Sequence, residues 1–226
     1  MDDNRMTKIG GTCSILAGVV FLISGLTYFL FLAGKFDWNS ISSISQYLQN
    51  VPLASTMWSV VNQGAALASF LAIAGVIALS DVLKSADEGF IRWTSTLAII
   101  GYTILAVSNV ADLYQTKRMA IGYAQLDKSA QAALEAIGIG TLDPVLSLRF
   151  ITIGPWFLAA GGSSLRGGQL PKGLAYLGMV AGSVALLVVV AAFLELQALI
   201  PITAGMAVIF HPIWLIGTGI ILRQRY

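Results

Sequence analysis

The chain has 226 residues, 57% of them hydrophobic and 11% charged, against about 25% charged in a soluble domain. A globule of this size cannot hide that much apolar surface and cover the rest with 13 Lys/Arg and 11 Asp/Glu, so the composition excludes a soluble protein. The net charge of +2 is spread thinly, with no basic stripe for nucleic acid.

Taken in order, the chain reads as one all-α transmembrane domain over 1–226. A spanning helix needs about 20 mostly apolar residues, and six runs qualify: 11–33, 55–79, 93–113, 145–165, 173–194 and 202–222. The fourth is the weakest, because its uncharged stretch is only 150–165. The first is too long for a signal-peptide core and lacks a small-residue cleavage site, so it reads as a retained helix. Its Gly11, Gly18 and Gly25 recur on one face, with Ser14 four residues before Gly18. Gly64, Ala68 and Ala72 in the second span, and Gly178, Gly182 and Ala185 in the fifth, form similar rows. Small residues of this kind let helices pack closely in lipid.

Between the first two spans, 34–54 carries Trp38, Ile41, Ile44 and Leu48 at helical spacing. After the third, 114–144 carries Leu126, Ala130, Ala133, Leu134 and Ile137, with Ser129 as N-cap and Gly138 as C-cap. Two short amphipathic helices are therefore expected on one face, resting on the helix ends or covering a cavity. Gly161-Gly162-Ser163-Ser164 and Gly167-Gly168 read as a glycine-rich turn on the opposite face.

Six spans place both termini on one side. That side holds Arg5, Lys8, Lys84, Arg92, Arg166, Lys172, Arg223 and Arg225, eight of the 13 cationic residues, mostly in short segments. The positive-inside rule makes it cytoplasmic, in the cell membrane. Trp38, Trp58 and Trp93 fall where an interfacial aromatic belt is expected. Trp156 and Trp214 instead follow Pro155 and Pro212 near mid-span. Each proline deletes a helix bond, to the carbonyls of Ile151 and Val208.

Polar groups inside a span are costly and mark function by default. Here they gather toward the outer side: Asn62 and Gln63, Asn109 and Asp112, Arg149, Glu195, and His211 roughly 13 Å below the outer end of the last span. Together with Trp156 and Trp214 they form the candidate ligand-binding set, an outward-facing polar pocket in which Arg149 pairs Asp112 or Glu195. The competing reading has the charged groups capping helix ends and His211 bonded to a neighbouring helix.

One cysteine, Cys13, and one histidine exclude an internal disulfide and any centre needing two imidazoles, so neither metal nor cofactor is expected. Phosphate-loop, dinucleotide, zinc-protease and serine-hydrolase motifs are absent from the sequence, and no catalytic residue is assigned.

Leu170-Pro171-Lys172-Gly173-Leu174, then Leu177-Gly178 and the small residues to Gly182, then Pro212-Ile213-Trp214-Leu215-Ile216-Gly217 with Leu222-Arg223 share a pattern. It is a basic Leu-Pro turn, a glycine-rich helix and a Pro-x-Trp final helix. This second half resembles an uncharacterised family of bacterial six-span membrane proteins. The resemblance implies a six-helix inner-membrane protein and brings no activity with it. Three functions remain open. The first is a bundle that binds, and in one version transports, a small ligand or lipid. The second is an accessory subunit or homo-oligomer packed against a membrane-protein partner. The third is a membrane-embedded enzyme using Asp112, Glu195 or His211 as acid–base groups.

Overall fold

The computed structural model describes residues 3–28, 48, 55–137, 146–194, 196 and 199–225. Among them the chain is helical throughout: α1 (Asp3–Thr27), α2 (Ser55–Leu83), α3 (Glu88–Gln125), α4 (Lys128–Ile137), α5 (Leu146–Gly167), α6 (Lys172–Phe193) and α7 (Leu199–Arg225). Five helices are long and apolar enough to cross a membrane: Arg5–Thr27, Thr56–Leu83, Glu88–Gln125, Lys172–Phe193 and Gly205–Arg225. In lipid such segments must satisfy their backbone internally, which a helix does. α5 is not among the five. Arg149 and Arg166 stand near its ends, and Gly154, Pro155, Gly161, Gly162, Ser163 and Ser164 dilute its apolar content.

Six helices close into a ring in chain order. α1 packs on α2, α2 on α3, α3 on α5, α5 on α6, α6 on α7, and α7 returns to α1. Neighbours run antiparallel throughout. The closing seam shows why small residues were needed. A methyl group built on Gly11 would lie 2.9 Å from the Gly219 carbonyl oxygen, and one on Gly18 would lie 2.6 Å from that of Pro212. These backbones touch, and no side chain fits between them. Ser14 Oγ crosses the same seam to donate to the Leu215 carbonyl at 2.7 Å. The glycine row of α1 is thus an intramolecular interface.

Local chemistry sets the turns. Asp87 caps α3, its Oδ1 accepting from the Phe90 amide at 3.1 Å. α5 runs through the glycine–serine stretch expected to be a turn and ends only at Gly167. The reversal falls at Gly168, whose φ of 70° is one that L side chains rarely adopt.

α3 departs most from expectation. It does not stop near residue 113 but continues to Gln125. Its 38 residues span about 57 Å, well beyond a hydrocarbon core of about 30 Å. Gln115, Lys117, Arg118, Met119 and Ala120 are good helix formers, and Lys117 Nζ donates to Ser59 Oγ of α2 at 3.0 Å. α4 follows as the short helix expected over 129–137. Its N-terminal cap is Asp127 rather than Ser129, with Asp127 Oδ1 accepting from the Ala130 amide at 2.8 Å. A second apolar cluster holds this end together: Leu48, Ala120 and Tyr123, with Leu134 packed against them. The helix expected around Ile41 and Ile44, with Trp38, and the C-cap at Gly138 lie outside the described residues. Leu48 alone of that segment is described, and it is buried.

Candidate functional site at the centre of the ring

Within the ring most of the large buried side chains lie in one half, Trp58 excepted. The main core includes Val76, Leu79 and Leu83 of α2, Ile91 and Tyr102 of α3, Trp156 and Phe157 of α5, and Trp214, Leu215 and Leu222 of α7. All sit between the end that carries both chain termini and the level of Tyr102. In the other half the buried inventory is Ser24, Trp58, Val61, Asn62, Ala66, Ser69, Ala106, Asn109, Arg149, Val188, Ala191, Thr203 and Ala207. Apart from Trp58, Val61 and Val188 these groups are small or polar, and none of them belongs to the main core.

His211 lies at the boundary. Its Nε2 shares a 2.6 Å hydrogen bond with Tyr102 Oη. The imidazole reaches across the ring from α7 to α3 and α5: ring centroids stand 5.0 Å from Phe21, 5.6 Å from Tyr102 and 5.1 Å from Phe157, the last edge-on. It therefore points inward, as expected for a polar group that lipid would penalise. Tyr102, Phe157 and Trp214 are fully buried, whereas His211 and Phe21 are only partly so. In the tautomer in which the phenol donates to Nε2, Nδ1 carries the ring proton and presents a donor.

Beneath His211 the aromatic side chains form a floor. Trp156 and Trp214 meet edge-on at 5.2 Å, and Phe157 lies 4.7 Å from Trp214 and 5.3 Å from Trp156. Trp214 Nε1 donates to the Leu174 carbonyl of α6 at 3.0 Å. It lies against Gly178, where a methyl would stand 2.5 Å from that nitrogen. Both tryptophans thus follow their prolines into the core.

The remaining candidates separate. Asn62 and Asn109 are buried, and each amide donates to its own helix, to the Trp58 carbonyl at 2.8 Å and the Leu105 carbonyl at 2.7 Å. The helix pairing puts them at about the same level on α2 and α3. Gln63 does not join them. It is exposed on the outer stripe of α2 with Val60, Leu67 and Phe70, since consecutive helix positions point about 100° apart. Trp58 is buried, donating to the Asp112 carbonyl at 3.3 Å. Arg149 is buried and Nη1 donates to Ser108 Oγ of α3 at 3.2 Å, tying α5 to α3. Asp112 is partly buried beside this seam. Glu195 lies outside the described residues. No group of three metal-ligating side chains occurs among the described residues.

Tyr102, Phe21 and Phe157 were not singled out from sequence. A signal existed for Tyr102: it is the one tyrosine near the middle of a span, seven residues and one helical face from Asn109, and its hydroxyl needs a partner there. Comparison with protein-family models, curated proteins and solved structures finds no match to this chain.

Proposed function

We propose that this chain is a six-span membrane protein that binds a small molecule inside its helical ring, on the Tyr102–His211 pair. In this reading α5 is the sixth span, and its ring position between α3 and α6 supports that. Both termini lie in the cytoplasm and the pocket faces outward, in keeping with the eight cationic residues at the terminal end. The resemblance of the second half to a bacterial six-span family points to an inner membrane.

One observation carries the reading. The main large-side-chain core stops at the level of a hydrogen-bonded His–Tyr pair, beyond which most buried residues are small or polar. Apolar walls with a few convergent polar groups are the usual make-up of a small-molecule site. The walls suit a largely apolar molecule with one hydrogen-bond acceptor for the imidazole, stacked against Phe21 and Phe157. No step in this reading requires catalysis, and Asp112 has no placement beside His211 that would make an acid–base pair.

Native mass spectrometry of the protein extracted in mild detergent tests it. The wild type should retain a small molecule, and His211→Phe, which fills the space and removes the polar contact, should lose it. A wild-type spectrum with no adduct, or an adduct unchanged in His211→Phe, would sink the proposal.

A further inference from the structure

Hydroxyls in this bundle have a consistent habit. Ser69, Ser80, Thr94, Ser95, Thr152, Thr203 and Thr218 each donate to a carbonyl four residues earlier on their own helix. Ser163 and Ser164 break it. Both are buried, and neither hydroxyl has a hydrogen-bond partner among the described residues. The Trp156 indole nitrogen, two turns away on the same helix, is in the same condition. Three orphaned polar groups therefore stand on the terminal half of one helix, Trp156 in the aromatic floor and Ser163 and Ser164 below it. Each carries a desolvation penalty that water would relieve.

The helix that carries them is also the one built to bend. Pro155 precedes Trp156 in α5, and Pro212 stands two residues before Trp214 in α7. The two indoles meet edge-on across α6. α6 meets α5 through glycines, with a methyl on Gly182 falling 2.8 Å from the Gly154 carbonyl oxygen and one on Gly161 falling 2.5 Å from that of Ala175.

We propose that the protein is a carrier: the terminal half of the ring opens when α5 and α7 swing at Pro155 and Pro212, and the Trp156–Trp214 contact is the gate that holds it shut. This rests on the ligand-binding reading above. The small, acceptor-bearing solute held at His211 then passes between the parted indoles, and Ser163 and Ser164 become part of a hydrated exit. The orphaned hydroxyls belong to that open state, where water bonds them.

The test uses the full chain with its single cysteine replaced, Cys13→Ser, and cysteine introduced as Ser163→Cys or Ser164→Cys. A membrane-impermeant maleimide is applied to vesicles from the side that carries the termini. Both positions should react in the folded protein. Trp214→Phe weakens the edge-on contact and removes the bond to Leu174, and should speed labelling about two- to tenfold. Trp156→Phe keeps a ring but removes the orphaned N–H from the closed state, and should slow it about fivefold. Cysteines that react only after denaturation, or rates that neither tryptophan variant moves, overturn the carrier. Retained ligand in the native spectrum of the same unlabelled protein would then leave binding standing without passage. Labelling as expected with no ligand retained would overturn the underlying reading, and the carrier with it.

Discussion

Replacing Tyr102 by Phe removes one oxygen from the centre of the ring and leaves every ring–ring contact in place. Tyr102 is fully buried, and the bond it shares with His211 Nε2 is short, at 2.6 Å. Orphaning a buried partner costs about 1–3 kcal/mol. Side-chain bonds between membrane helices average about 0.6 kcal/mol, because alternatives exist in lipid. His211 is only partly buried, so its nitrogen can find a partial substitute. The loss expected is therefore about 1 kcal/mol. For a chain of this length that lowers Tm by about 2–4 °C. The assay is unfolding in mild detergent followed by tryptophan fluorescence, since two of the five tryptophans lie in the floor beside the pair. His211→Phe and the double variant complete a cycle. With the imidazole gone, Tyr102→Phe should cost almost nothing, so the coupling should reach at least about 0.5 kcal/mol. A single variant as stable as wild type, or two losses that simply add, would show that the pair is not an energetic unit.

Other substitutions probe the frame around it. Gly18→Ala should destabilise by about 1–3 kcal/mol, because the added methyl meets the Pro212 carbonyl at 2.6 Å and that backbone cannot yield without parting α1 from α7. Gly162→Ala meets nothing within 4 Å and should be neutral or stabilise by up to about 1 kcal/mol through helix propensity; equal losses at the two glycines would contradict the packing argument. Asp87→Ala removes the α3 cap and should cost about 1 kcal/mol, readable in the same unfolding experiment. Cysteines replacing Lys128 and Lys172, again with Cys13→Ser, should be labelled from opposite faces of the membrane if α5 crosses it. Labelling of both from one face would reduce the spans to five.

Composition and run length located the helices well, because lipid leaves the backbone few alternatives and the apolar runs are long. They located the ends less well. Residues 114–125 carry the charges and polar groups of a loop, yet continue α3, since helix propensity does not stop where hydropathy does. The serines at 163 and 164 looked like a turn for the converse reason: glycine and serine are turn residues in water, but in a bundle they are contact residues. Among the site candidates, His211, Trp156 and Trp214 meet one another's neighbours because all three face the interior, the imidazole because lipid penalises it. Gln63 shows the limit. Asn62 and Gln63 are one residue apart and chemically alike, and only the angle between them sends one inward and the other to the outer stripe. Tyr102 escaped notice because a tyrosine is counted with the hydrophobic residues of a composition, although its hydroxyl supplies half of the central bond.

The closed ring has a consequence for how the protein is made. The Ser14–Leu215 bond joins residues 201 apart in sequence, and Gly11, Gly18 and Gly25 of α1 are covered by α7, made long after α1. At about 5–20 residues per second, α1 waits roughly 10–40 s in the bilayer with Ser14 and three backbone-exposing glycines unclaimed. During that interval the nascent first helix presents a face suited to any small-residue helix nearby. Its insertion machinery, or the speed with which the second helix docks, must shield that face until the ring can shut.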